Sequence, residues 1–184
     1  MSEIRNPMPD ICSRLLNAAW EFEMANSKIE GTAPFFILAG VLVAIDQLTK
    51  YLLVDAIPLY ARIPIIPGFF NLVHVHNTGG AFSIFAGPGY PWRKYVFMGL
   101  TIVVVAAIAY AYGKVGKKDN WTRIAYVCIT GGAIGNLIDR IRLGEVIDFL
   151  DVYVGSWHWP AFNVADTAIS TGAVMLLVSL IKKR

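Results

Sequence analysis

The sequence predicts an all-α polytopic membrane protein, with four transmembrane helices and a small sheet at one membrane surface. Three observations carry this expectation. Of the 184 residues, 56% are hydrophobic and only 16% are charged, with a mean hydropathy of +0.54; a soluble domain holds ~45–50% and ~25%. The apolar residues gather in four long blocks, each near the ~20 residues that carry a helix across a bilayer. Between the first two blocks the composition changes, and β-branched and aromatic residues alternate with Pro and Gly. A chain this short has no soluble domain in which four such blocks could be buried, so membrane spans are the economical reading.

The blocks run from about residue 34 to 53, 95 to 112, 121 to 138 and 164 to 181. Trp92, Tyr95, Tyr110, Tyr112 and Trp121 stand at block ends, where amphipathic rings favour the headgroup layer. Residues 1–33 form a polar leader ahead of a second unit, 34–184. Arg5, Asp10, Arg14, Glu21, Glu23, Lys28 and Glu30 interrupt the leader throughout, so it lacks the apolar core of a signal peptide. Ile11, Leu15, Leu16, Ala19 and Trp20 recur at helical spacing, which fits a short amphipathic helix lying on the membrane; a solvated leader fits equally well.

Basic residues orient the spans. Ten lie in the leader, between Lys114 and Arg123, and at the C-terminus, whereas Arg62, Arg93, Lys94, Arg140 and Arg142 make five on the other side. The ten face the cytoplasm, which places both termini inside and loops 54–94 and 139–163 outside. Within loop 54–94, residues 63–76 and 81–85 read as two or three short strands, a sheet that would pair backbone groups near hydrocarbon.

The net charge of +3 comes without a basic stripe, so nucleic acid is excluded as a partner and membrane lipids account for the basic bias. Cys12 and Cys128 form no CxxC or ligand spacing and are expected as free thiols. His74, His76 and His158 lack acidic or Cys partners at metal-site spacing; no metal and no cofactor is expected.

Several polar residues stand where a span should be apolar. Asp46 and Lys50 share a helix face at i,i+4 near the outer end of the first block. Asn136, Asp139 and Arg140 close the third. Asn163 and Asp166 open the fourth, with Asp148 in the loop before them and Asn77 in the outer loop. Given the orientation, all of them reach the same membrane face. Ionisable groups in spans cost a few kcal/mol each and commonly mark function. Each has a plainer explanation: an Asp46–Lys50 structural pair, an Asn163 helix cap with an acid in the first turn, snorkelling by Asp139 and Arg140, close helix packing at Gly131, Gly132 and Gly135. Convergence at one depth is harder to explain that way. Two carboxylates held close cannot both ionise, so one can activate water while the other protonates a carbonyl. Asp148 and Asp166 suit this role, with Asp139 the rival for the first. No His lies in a span to serve a serine nucleophile, and HExxH is absent.

Five motifs in order, Ile45–Lys50, Asn77–Ser83, Gly132–Arg140, Val146–Phe149 and Phe162–Asp166, resemble those of bacterial lipoprotein signal peptidase (signal peptidase II), over roughly residues 36–181. The resemblance implies four helices with a small extracytoplasmic β-cradle, in the bacterial inner membrane. It implies an aspartic endopeptidase that cuts diacylglyceryl-modified prolipoproteins just before the lipid-bearing cysteine, and that globomycin-type inhibitors block. By position, Asp148 and Asp166 would be the dyad. Asn77, Asn136, Arg140 and Asn163 would line the substrate site, and Asp46, Lys50 and Asp139 would brace it. A monomer is expected. Two other classes compete: a small proton-coupled transporter, which would favour polar groups at mid-bilayer and an inverted repeat, and a non-catalytic assembly factor, in which either aspartate would be dispensable.

Overall fold

The computed structural model describes residues 8–79, 92–116 and 118–182. Four helices and four strands follow in the order α1 (Met8–Ala56), β1 (Arg62–Ile66), β2 (Phe70–Asn77), α2 (Arg93–Tyr112), α3 (Asn120–Arg142), β3 (Val146–Val154), β4 (Trp157–His158) and α4 (Val164–Lys182). The portions long and apolar enough to span are Ala33–Ala56 and the whole of α2, α3 and α4, matching the four apolar blocks. The protein is a multi-pass membrane protein. Exposure shows the same thing: Val103, Leu177 and Ile181 present 60% or more of their surface, tolerable only where the solvent is lipid.

Helix α3 is the centre. It packs against α1, α2 and α4, and it is the least apolar and most buried of the four, since its neighbours are protein rather than acyl chains. Close approach is built into its small residues. A Cβ on Gly132 would collide with the Ala165 carbonyl oxygen of α4, and one on Gly131 would sit 2.8 Å from Leu42 Cβ of α1. Gly172 of α4 has the same relation to Ala125 of α3. These glycines do pack helices, as the sequence suggested. At the N-terminus of α3, Asp119 caps the helix by accepting the Thr122 backbone N–H at 3.0 Å.

The strands form one antiparallel sheet in the order β1-β2-β3-β4. Pro64 sits in β1, which among the described residues pairs with β2 alone and so can lack a ladder donor. The sheet docks on the C-terminal end of α1 through a cluster of Leu53, Ile57, Ile147 and Phe149. A second cluster, Phe35, Ala39, Tyr112 and Val127, closes the opposite end of the bundle.

Two expectations change. Residues 146–158, read as loop, supply two strands; β3 is buried on both faces over Val146–Phe149, which removes the period-2 alternation that identifies a strand. The leader is helical from Met8 and runs into the first span without a break, through Pro34, rather than forming a separate short helix. The strand expected at residues 81–85 lies outside the described residues.

Candidate active site

The polar residues singled out in the sequence meet at one end of the bundle. They are delivered by the C-terminal ends of α1 and α3, the N-terminal end of α4, and the paired strands β2 and β3.

Lys50 anchors the inner layer. Its Nζ lies 2.8 Å from Asp46 Oδ2 and 2.6 Å from Asp139 Oδ2, and donates to Asn136 Oδ1 at 3.0 Å. Lys50, Asp46 and Asp139 are each 2% exposed or less, and a buried cation is tolerable only with such partners. The carboxylates are occupied on their other sides too. Asp46 Oδ1 accepts the Ala165 N–H at 2.9 Å, and Asp139 Oδ2 accepts the Ile147 N–H at 3.4 Å. This layer therefore ties α1 and α3 to the start of α4 and of β3. Gly135 makes room for it, since a Cβ there would fall on the Asp46 carboxylate.

Asn136 and Asn163 form the middle layer. Asn136 Nδ2 donates to Asp166 Oδ1 at 2.8 Å, while its Oδ1 accepts from Lys50 and, at 3.2 Å, from Asn163 Nδ2. Asn163 caps α4: its Oδ1 accepts the Asp166 N–H at 2.8 Å, and Asp166 Oδ2 accepts the Asn163 N–H at 3.3 Å, a reciprocal capping box. The same side chain donates through Nδ2 to Asp148 Oδ1 at 2.7 Å. Capping and site assembly, alternatives in the sequence, are one arrangement in the structure.

Asp148 comes from β3, outside the spans, and is 2% exposed. Asn77, at the end of β2, donates to its Oδ2 at 3.1 Å. Burial pushes the Asp148 carboxyl up to about 7, and the neighbouring Asp166 charge adds to the rise; hydrogen bonds from Asn77 and Asn163 and the charge of Lys50 oppose it.

Above these groups opens a cavity of about 600 Å³. Its polar edge is Asn77, Asn136, Arg140 and Asp166, and its walls are apolar, with Phe97, Leu100 and Val104 from α2, Ile129 and Ile169 from α3 and α4, and Trp159–Phe162 from the chain after β4. Arg140 reaches the Gly79 carbonyl at 3.0 Å and lies over the Phe97 ring, 5.3 Å from its centroid. The cavity can hold an apolar ligand with one polar group directed at Asp166.

All nine candidate residues thus belong to one connected assembly. Asp139 is bound into the Lys50 layer; like Asp148 and Asn163, it lies behind the residues that line the cavity. The sequence reading missed Gln47, whose Nε2 donates to Asp139 Oδ1 at 2.9 Å and to the Gly135 carbonyl at 3.1 Å. Its position one turn before Lys50 on the same polar stretch was the available signal. Also missed was a cluster on the sheet, Asn71, Asp151 and His158. Cys128 is a free thiol. Among the described residues no group of three or more His, Cys, Asp or Glu side chains is arranged to hold a metal ion.

Comparison with known proteins agrees with this architecture. The sequence profile described as signal peptidase (SPase) II matches residues 38–182. A lipoprotein signal peptidase of Syntrophus aciditrophicus is 43% identical over 82% of this chain and 93% of its own length. That of Geobacter metallireducens is 44% identical over 80% of this chain and 90% of its own. A solved bacterial membrane enzyme structure superposes with a TM-score of 0.73 at 30% identity, covering 81% of this chain and 88% of that one. With the profile spanning all four helices and the sheet, the chain belongs to the signal peptidase II family.

Proposed function

We propose that this protein is an intramembrane aspartic endopeptidase that removes the signal peptide from diacylglyceryl-modified prolipoproteins, cutting just before the lipid-modified cysteine. The observation that carries the reading is the bridge made by Asn163, which binds the Asp148 carboxylate and the Asp166 backbone at once and so couples Asp148 to Asp166, the acid at the edge of the apolar-walled cavity.

The chemistry follows from the two environments. Asp148 keeps its proton up to about pH 7 and acts as the acid; Asp166, at the cavity edge, acts as the base. Asp166 takes a proton from water as the water oxygen attacks the scissile carbonyl carbon, and Asp148 gives its proton to the carbonyl oxygen. Collapse of the resulting diol breaks the C–N bond, with the proton gained by Asp166 passing to the leaving nitrogen and a hydroxyl proton of the diol returning to Asp148. Asn77, Asn136, Arg140 and Asn163 position substrate and carboxylates, and Asp46, Lys50 and Asp139 hold them in place. Apolar walls suit the lipid and signal-peptide portions of such a substrate, and the same cavity would take globomycin-type inhibitors. The site lies near the periplasmic face of the bacterial inner membrane, with both termini cytoplasmic, and the protein works as a monomer.

The test is cleavage of a diacylglyceryl-modified prolipoprotein by the purified protein in detergent. Asp148→Asn and Asp166→Asn should each lose ~10²–10⁴ in rate while the variants still insert and still bind globomycin, and the double variant should lose far less than the product of the two. Turnover by either single variant at the wild-type rate overturns the mechanism.

A further inference from the structure

The cavity wall that comes from the sheet is held by residues outside the site described above. Asp151 of β3 stands directly across from Asn71 of β2, and Asn71 Nδ2 donates to its Oδ2 at 2.7 Å. Its other oxygen lies 2.7 Å from His158 Nδ1 of β4. The His158 ring also stacks on Tyr153, the residue opposite it in the β3–β4 pair, with centroids 4.8 Å apart and planes 7° from parallel. Asp151 is 4% exposed. Burial pushes its carboxyl up, but the Asn71 and His158 hydrogen bonds and the His158 and Arg62 charges outweigh burial and hold it below the usual carboxylate range. A carboxylate accepts only, so His158 donates from Nδ1.

The chain passes from His158 straight into Trp159, Pro160, Ala161 and Phe162, all of which line the cavity. The backbone ties this stretch to β3 at its two ends: the Trp159 N–H donates to the Val152 carbonyl at 2.8 Å, and the Phe162 N–H to the Leu150 carbonyl at 3.1 Å. Between them stands Pro160, which has no N–H to add. Strand β4 is only two residues long, too short to fix the wall by its ladder alone.

We propose that Asp151 and His158 form a positioning clip that holds the Trp159–Phe162 wall against the apolar part of the substrate. This rests on the peptidase reading for the substrate, though not for the clip itself. Neither residue touches the reacting atoms. Losing the clip loosens the wall and weakens substrate binding while leaving the dyad intact.

The experiment compares the full-length protein with His158→Leu, Asp151→Leu and His158→Asn in detergent, by amide hydrogen exchange and by kinetics on a diacylglyceryl-modified prolipoprotein. In His158→Asn, the Asn Nδ2 takes the place of the imidazole Nδ1 and keeps the donor. His158→Leu and Asp151→Leu should speed exchange at the Trp159 and Phe162 amides and raise KM about tenfold, the scale of a hydrogen bond to a charged group, with kcat within about twofold. His158→Asn should stay near wild type in both. Unchanged exchange, a fall in kcat without a rise in KM, or failure of His158→Asn to restore KM overturns the clip. If the wild-type protein cleaves nothing, the peptidase reading falls, and the exchange measurement alone still decides the clip. If His158→Leu does not fold, Asp151→Leu against His158→Asn makes the same comparison.

Discussion

Asp139 lies 2.6 Å from Lys50, both side chains 2% exposed, and that pairing sets it apart from Asp148 and Asp166, although it is only nine residues from the first. Its oxygens are committed to Lys50, Gln47 and the Ile147 N–H. On the proposed mechanism it is a brace.

Substitutions in this pair should therefore show in stability before chemistry. Removing one partner of a buried ion pair typically costs ~3–5 kcal/mol because the other charge is left unpaired. Lys50→Ala, which leaves Asp46 and Asp139 facing each other, should lose stability on that scale. Asp139→Asn keeps the shape, and Lys50 still has Asp46 at 2.8 Å, so the loss should be smaller and turnover partial. Thermal unfolding in detergent, beside the cleavage rate, checks both. A stably folded but inactive Asp139→Asn, with Asp148→Asn active, would transfer the acid's role to Asp139.

The pH profile follows from Asp148. Its carboxyl rises from 3.8 unfolded to about 7 folded, so the fold favours the protonated form. That contribution to stability is complete below about pH 4 and is lost as pH rises through 7. The rate should fall over the same upper range as the acid loses its proton. Asp148→Asn cannot ionise, so its unfolding temperature should lack the decline between pH 4 and 7. An identical decline in wild type and variant would place the titration elsewhere.

Topology can be read directly. Reporter fusions at Arg184 and at Gly155 should report opposite sides of the membrane, with Arg184 cytoplasmic, as the ten-to-five basic asymmetry requires. A periplasmic C-terminus would reverse the sidedness of the site.

The leader offers a fourth test. Profile similarity begins at residue 38, and among the described residues the first to join the site is Asp46. Deleting residues 2–30 should preserve cleavage in protein that inserts. Full loss of activity in a stably inserted truncation would assign the leader a catalytic or substrate-binding part.

Much of this was legible in the sequence because hydrophobic length is a strong signal and a charge inside it is a stronger one. Asp46, Lys50, Asn136, Asp139, Arg140 and Asp166 stand out against apolar neighbours, and alternating helix direction alone brings them to one face. What the sequence hid lay in the sheet. Burial on both faces disguised Val146–Phe149 as a motif-bearing loop, so neither the strand nor its pairing with β2 was foreseen. The Asp151–His158 contact depends on the register of β3 and β4, which no local pattern encodes. Nor could spacing show that the capping role of Asn163 and its contact with Asp148 are simultaneous.

That double duty of Asn163 bears on how the enzyme is born. Asn163 and Asp166 sit at the start of α4, and the side chain that caps the helix through Oδ1 is the one that reaches Asp148 through Nδ2. Until α4 is wound and seated against α3, Asp148 stands without the second carboxylate of the proposed dyad. On that mechanism a chain interrupted before Asn163 carries no working site.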